Sequence, residues 1–423
     1  MEGSKQSVAA LEDAEDLVCP NTALLRRLGM WNGLDAAGGR IKSWVVWAMA
    51  AFISGSGAWK LCFDTPPELA DVADYGYFVC HLSAVAMKVA FFILQRGTIQ
   101  DLVKQLAYTR KTYGRTEANH RVRDVYRRRA TKVYIVLQVL VVAIVSLWVS
   151  APLFQDIRGP HPIWHPEHSP AFEIVFVMQL VFGTTATELA ILLDTSYYKL
   201  MLMVTAELQI LNDNMAVLGR ADESADLKGS SATDVPGKER DVAIPPTKQT
   251  PVPDTEDNDL TRRLLYFQLV ENLRHHQAII KCFNLLQSML MYSVTIILAS
   301  NVFTVCFSIF IASVLFQSDG GMKRIKTLSG IPSVLGETGM LCIFGQMIVN
   351  QSERLRVSAF SCGWPDADAR FKRTLLIFTM RTSQPLQITV GKLIRLTSPT
   401  FLQILNSSYT LINLLYQFQG PKN

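Results

Sequence analysis

Charge is scarce in this chain. Asp, Glu, Lys and Arg make up only 18% of its 423 residues, while 49% are hydrophobic and the mean hydropathy is +0.20. A soluble protein of two or three domains would carry more charge and spread it more evenly. Here charge is missing altogether from 133–155, 282–318 and 396–421, runs of 23, 37 and 26 residues. About 20 mostly apolar residues cross a bilayer, so runs of this length exclude a soluble fold and point to an all-α membrane protein of several spans.

Other absences narrow the function. Met1 to Pro20 contains no apolar run of the kind found in a cleaved leader, so the first span is expected to direct insertion itself. Seven cysteines (Cys19, Cys62, Cys80, Cys282, Cys306, Cys342 and Cys362) are scattered and offer no paired framework. His161, His165 and His168 share one segment, but Pro160, Pro162 and Pro166 prevent the helix that would align them, and no Cys or close carboxylate pair completes a metal set. Glu188, Asp194 and Glu337 stand without a nucleophile, a phosphate-binding loop or metal ligands. No catalytic residue, cofactor or enzyme activity is expected, and nothing points to nucleic acid. The net charge of +5 matters less than its distribution.

Apolar windows define seven expected spans: Ser43 to Cys62, Tyr75 to Gln95, Val133 to Phe154, Ile174 to Leu193, Met289 to Phe316, Leu328 to Asn350, and Ser398 to Gln419. The second, fourth and sixth each hold one charge, Lys88, Glu188 and Glu337. Such a charge costs about 2.5–3.5 kcal/mol at mid-bilayer unless protein or water receives it. Lys and Arg are distributed very unevenly between the two sides. Thirty-four lie in the N-terminal segment and the second, fourth and sixth loops, against five in the other loops and the C-terminus. Basic loops stay in the cytoplasm, which places the N-terminus inside and, after seven spans, the C-terminus outside. G-protein-coupled receptors have the opposite orientation, and their Asn-Pro-x-x-Tyr segment is absent from the last span. Transporters usually show self-similar halves, and none is present.

The expected organisation is therefore a cytoplasmic segment 1–42, a six-helix transmembrane bundle with a ligand cavity over 43–350, a cytoplasmic anchor segment 351–397, and a last helix with an extracellular C-terminus over 398–423. Within the bundle, 219–260 is rich in Pro, Gly, Ser and charge, and reads as a disordered cytoplasmic loop. Before it, Leu200, Met203, Val204, Leu208, Leu211, Met215 and Leu218 recur at helical steps, with Lys199, Glu207 and Asp213 as the polar residues between them. After it, Leu265, Leu269, Leu273 and Ile280 repeat the pattern. With Arg354 to Ser383 these pieces would form one intracellular helical bundle or lie separately on the membrane surface.

The last span carries the most informative pattern. At 100° per residue, Asn406, Thr410, Asn413 and Gln417 fall within about 60° of one another, with Gln403 just beside them. Lipid cannot satisfy amides, so this stripe faces water, another helix or protein interior. Copies of the helix around an axis would make it the lining of a hydrated pore. Hydrogen bonding between helices of one subunit is the alternative. Nothing between Leu396 and Gly420 is ionisable apart from Tyr409 and Tyr416, so such a pore would sort ions weakly.

Four stretches carry a resemblance to a known family: Ser169 to Phe176, Arg274 to Ile279, Trp364 to Arg373, and Ser407-Ser408-Tyr409-Thr410 through Gln417. In this order and spacing the chain resembles the insect odorant receptors. The resemblance implies a ligand-gated, weakly selective cation channel of four subunits in the plasma membrane of a sensory dendrite. Its pore comes from the last helix of each subunit, and its cytoplasmic helices anchor the tetramer. It places the gate at Leu414, Gln417 and Phe418. It also implies an odour-tuned subunit that assembles with a shared odorant co-receptor as a heterotetramer and takes a small volatile ligand. The ligand site would lie in the outer halves of the second to sixth spans, where the candidates are Leu82, Val85, Ala143, Ser146, Leu147, Gln179, Phe182, Gly183, Asn301, Phe303 and Thr304. Gustatory receptors are the neighbouring alternative. Thr410-Leu411 followed by Gln417-Phe418 matches the spacing of their terminal motif but lacks its tyrosine.

Overall fold

The structure, a computed structural model, describes residues 17–31, 38–65, 69–154, 171–219, 255–315, 328–391 and 394–419. Ten helices and one short hairpin appear among them: α1 (Thr22–Arg27), α2 (Gly38–Phe63), α3 (Leu69–Leu94), α4 (Arg96–Thr112), α5 (Glu117–Phe154), α6 (Ala171–Val217), α7 (Thr255–Leu315), α8 (Ile331–Phe360), α9 (Ala369–Thr382), β1 (Thr389–Val390), β2 (Ile394–Arg395) and α10 (Ser398–Gln419). Six of these, α2, α3, α5, α6, α7 and α8, contain a stretch long and apolar enough to cross a membrane. The seventh expected span coincides with α10, whose amides and hydroxyls dilute its apolar residues. The chain is thus a multi-pass helical membrane protein.

Several helices far exceed the bilayer. With 38, 47 and 61 residues, α5, α6 and α7 measure roughly 57, 70 and 92 Å at 1.5 Å per residue, against a hydrocarbon core of about 30 Å. Sequence periodicity anticipated this for α6 and α7. It missed α4 and the start of α5, where the second loop is folded rather than open. The expected unstructured loop also ends early, because 255–260 already belong to α7; residues 220–254 lie outside those described, as do His161, His165 and His168.

The chain divides into two compact units. The first comprises Met1–Glu207, Ile279–Val349 and Leu386–Asn423, and the second Leu208–Ala278 and Asn350–Pro385. The expected segment 351–397 is therefore split at Pro385, with the hairpin joining the first unit.

In the first unit α6 is the central helix: every residue from Leu189 to Glu207 is buried. This corrects the amphipathic reading of that stretch. Lys199 and Glu207 do not form a solvated face but sit at 2% and 1% exposure with dedicated partners. The Lys199 Nζ donates to the Cys19 carbonyl (3.1 Å), holding the buried N-terminal residues Leu17, Val18 and Cys19 near α6. Glu207 accepts a bidentate pair from Arg123 (2.9 and 2.9 Å), and Arg110 lies 3.2 Å away. Arg123 also donates to the carbonyls of Tyr113 and Gly114, closing the turn between α4 and α5 in which Gly114 adopts φ +61°. Small residues let α2 approach α3. The Ser54 and Ser83 hydroxyls are 2.6 Å apart, and a Cβ on Gly57 would fall 2.9 Å from Val79.

The second unit brings one part each of α6, α7 and α8 together with α9. Asn212 donates to the Gln351 carbonyl (2.8 Å) and side-chain oxygen (3.0 Å), and Arg354 lies 3.5 Å from Asp213. Asp368 caps α9 by accepting from the Phe371 amide (2.8 Å). That helix buries Phe371, Leu375 and Phe378, the last edge-on to His276. Of the elements expected to form a bundle, Leu208 to Leu218, Leu265 to Leu273 and Arg354 to Ser383 fall in this unit, while Leu200, Met203, Val204 and Ile280 belong to the first.

Candidate functional site

Among the described residues a cavity of about 70 Å³ opens inside the first unit. Its walls come from α3 (Tyr77, Phe78, His81, Leu82), α5 (Val141, Ile144, Val145, Trp148, Val149), α6 (Gly183, Thr184, Thr187), Gly330 just before α8, and the first turn of α8 (Ser333, Val334). The lining is largely apolar and aromatic with a few polar groups, the usual chemistry of a small-molecule site. Tyr77 and His81, one helical turn apart, have parallel rings 6.2 Å apart, and Trp148 sits 6.0 Å from Tyr77. Trp148 donates its indole N–H to Ser329 (3.1 Å), which fixes the ring plane. The Thr187 hydroxyl donates to the Gly183 carbonyl (2.8 Å), leaving its lone pairs to accept. Imidazole contributes one donor and one acceptor when neutral, and His81 is the most versatile polar group on the wall.

The expected ligand residues divide three ways. Leu82 and Gly183 line the cavity, and Val85 is buried one turn beyond Leu82. On α5, Ala143 and Ser146 are exposed and Leu147 is half-buried, while Ile144, Val145 and Trp148 line this cavity. An uncharged helix has no polar side to indicate its inner face, so period alone could not choose. Asn301 is buried and donates to Thr338 (3.0 Å), Thr304 donates to the Ser300 carbonyl (2.8 Å), and Phe303 is 61% exposed, all away from this cavity. Phe182 is half-buried beside Gly183, and the Gln179 side chain lies outside the described residues. The cavity residues outside the expectation, Tyr77, His81, Trp148 and Thr187, had one available signal. Each is an aromatic or a hydroxyl with a polar tip inside an otherwise apolar span.

Three charges meet deeper in the same unit. Lys88 of α3 reaches Asp194 of α6 (2.9 Å) and Glu337 of α8 (2.7 Å), and Tyr198 donates to the Glu337 carbonyl (3.3 Å). Two of the three spans with an isolated charge thus neutralise each other, while Glu188 accepts from Gln138 (2.6 and 2.8 Å). Because His81 lies two turns from Lys88 on α3, cavity and ion cluster share a helix face.

The polar stripe of the last helix is open to the surroundings. Gln403, Asn406, Thr410 and Asn413 are all exposed, whereas Phe401, Ile404 and Leu405, roughly half a turn round the helix, are half-buried. Phe401 packs on Gly339 of α8 (3.3 Å), and the Ser398 amide donates to Gln346 (3.3 Å). The Leu414, Gln417 and Phe418 side chains lie outside the described residues. Just before α10, β1 and β2 pair in antiparallel register, Thr389 with Arg395 and Val390 with Ile394. Gln287 of α7 acts as a third strand in miniature, donating to the Thr389 carbonyl (2.6 Å) and accepting from its amide (2.9 Å). The turn at Gly391, at φ +58°, donates to the Met291 carbonyl (3.3 Å). On α8, Gly345 leaves room for the Leu396 carbonyl. Three elements thus aim the start of α10.

Comparisons with known proteins agree with this architecture. The profile of the family described as 7tm Odorant receptor matches residues 69–409. Odorant receptor Or2 of Anopheles gambiae is 22% identical over 356 residues, covering 82% of this chain and 85% of that protein. Odorant receptor 10 of Aedes albopictus is 19% identical over 361 residues, covering 82% and 84%. Among solved structures, the insect olfactory receptor OR5 from Machilis hrabei in complex with eugenol superposes with a TM-score of 0.69 at 13% identity, covering 91% of each chain. These relatives are receptors, not enzymes. With the profile spanning well over half of its length, the chain belongs to the 7tm odorant receptor family.

Proposed function

We propose that this chain is an odour-tuned subunit of a ligand-gated, weakly selective cation channel. It assembles with a shared co-receptor into a tetramer whose last helices surround the pore. The observation that carries the reading is the exposure of Gln403, Asn406, Thr410 and Asn413 on the face of α10 opposite its packed face. Thr410 donates to the Asn406 carbonyl (2.9 Å), but lipid does not solvate amides, and the described residues of the subunit do not cover those of Gln403, Asn406 and Asn413, so hydrogen bonding within one subunit leaves them unexplained. Water on a shared axis satisfies them. The apolar side chains exposed on the second unit, among them Phe267, Val357, Phe360, Leu376, Ile377 and Met380, support assembly through that unit. The excess of Lys and Arg on one side favours a cytoplasmic N-terminus and an extracellular C-terminus.

The cavity between α3, α5, α6 and α8 is the proposed odorant site. At about 70 Å³ it is half the roughly 150 Å³ that hold a benzene ring in an engineered protein cavity, so a volatile of that size would enter by moving side chains. Proposed contacts are Leu82 and Gly183, with Tyr77, His81, Trp148 and Thr187. The gate remains assigned to Leu414, Gln417 and Phe418.

Substituted cysteines test the pore. Of the native thiols, Cys19 is buried, and burial pushes its pKa up, while Cys62 is exposed, so the background is Cys62→Ser. Co-expressed with the co-receptor, Asn406→Cys, Thr410→Cys and Asn413→Cys are expected to lose current to a water-borne thiosulfonate, whereas Phe401→Cys and Ile404→Cys keep it. Unreactive stripe positions, with odorant and without, overturn the pore. Current from this chain alone overturns only the tuned-subunit assignment.

A further inference from the structure

α5 carries one exposed stripe that changes chemistry along its length. In its membrane part the stripe is apolar: Ile135, Val136, Val139 and Val142 are 53–65% exposed. At 100° per residue, Arg121, Val125, Arg128 and Lys132 continue the line through Ile135, Val139 and Val142, and all are exposed. The lipid-facing side of the helix thus runs without a break into a row of cations.

The spacing places those cations at a particular depth. Lys132 lies about 4.5 Å and Arg128 about 10.5 Å along the axis from Ile135. The headgroup layer on each side of the hydrocarbon is roughly 5–8 Å thick, and Lys and Arg side chains extend towards it from either direction. With the uncharged run that begins at Val133 taken as the hydrocarbon, Arg128, Arg129 and Lys132 fall at phosphate level. Between Arg121 and Lys132 the sole carboxylate is Asp124, against six basic residues. One of the six, Arg123, turns inwards to Glu207. Among the described residues Arg121, Arg128, Arg129 and Lys132 pair with no carboxylate; Arg128 donates only to the Asp124 carbonyl (3.4 Å), and Arg129 stacks over Tyr126 (5.1 Å). Asn21, the cap of α1, donates to the Tyr134 hydroxyl (3.3 Å), bringing the segment with exposed Arg26 and Arg27 against the same stretch of α5.

We infer that this stripe is a binding site for the phosphate headgroup of an anionic phospholipid, with Arg128, Arg129 and Lys132 on the headgroup and Ile135, Val139 and Val142 against its acyl chains. An acidic protein segment would meet the charges but leave the adjoining apolar row without a role, whereas a phospholipid matches both halves. The inference rests on α5 crossing a bilayer and not on the channel reading.

The test uses the full chain reconstituted into vesicles of phosphatidylcholine alone, or doped with phosphatidylserine or phosphatidylinositol bisphosphate at matched surface charge. Lipid retained through detergent extraction and washing is quantified by mass spectrometry. R128Q/R129Q/K132Q is expected to lose retained anionic lipid by on the order of tenfold or more. R128K/R129K, which keeps the charge, and R262Q/R263Q/K281Q, which removes three exposed cations of α7, retain it. A monodisperse elution profile for each variant separates loss of lipid from loss of fold. Equal retention by R128Q/R129Q/K132Q and the α7 control overturns the inference. So does a triple variant that keeps its lipid but loses binding of a fluorescent poly-glutamate peptide, which assigns the patch to an acidic protein segment.

Discussion

Single residues carry an outsized share of the energetics, because a buried charge in this fold is stable only with its partners. Lys88 is 6% exposed and faces two carboxylates, Asp194 and Glu337. Lys88→Met leaves those carboxylates together without a cation, a change worth about 3–5 kcal/mol. Little monodisperse receptor is expected in detergent, and K88M/D194N/E337Q, which leaves no uncompensated charge, should recover most of it. A single variant that melts with the wild type would strip the cluster of its structural role. At the cavity, His81→Phe keeps the ring and removes the hydrogen-bonding nitrogens. Agonists bearing an oxygen function should need about fivefold higher concentration, from roughly 1 kcal/mol per lost hydrogen bond, while hydrocarbons of similar shape respond as before. Dose–response curves for matched pairs of volatiles check this, and equal shifts for both members count against a polar contact.

Between elements, the hairpin before α10 is held by glycine as much as by hydrogen bonds. A methyl on Gly345 would run into the Leu396 carbonyl, whereas a methyl on Gly336, in the same helix α8, meets nothing within 4 Å. Gly345→Ala is therefore expected to cost about 1–3 kcal/mol through overpacking. Gly336→Ala should be neutral or stabilising by up to about 1 kcal/mol, since alanine favours helix. Thermal melting of the two purified variants compares them directly, and matching curves would show that the hairpin can shift to make room. Both glycines lie inside the same helix, and the strand end that comes to rest on Gly345 separates them.

For the molecule as a whole, the proposed conduction would follow from what α10 lacks. Without a fixed charge on the stripe, Na⁺ and K⁺ should permeate almost equally. Asn413→Lys in this subunit should lower cation permeability and Asn413→Asp raise that of Ca²⁺, read as opposite shifts of the reversal potential under bi-ionic conditions. Unchanged reversal potentials in both variants would remove Asn413 from the ion path. The same scale explains why sequence reading succeeded unevenly. The position of α10, the long helices α6 and α7 and the family were visible in runs of uncharged residues and in four short strings. The inward face of α5 and the burial of Lys199 and Glu207 were not.

That division has a physical origin. Membrane insertion depends on summed transfer free energy along the chain, a one-dimensional quantity, so uncharged runs mark the membrane-crossing helices before any packing occurs. A polar stripe on an apolar helix is equally local, and Asn406, Thr410 and Asn413 declare it without help from neighbours. Which side of a uniformly apolar helix looks inwards is decided only when other helices arrive. Lys88 meets Asp194 and Glu337 across 106 and 249 residues of chain, and Gln287 meets Thr389 across 102. No periodicity encodes such encounters, because the free energy that selects them belongs to the assembled fold.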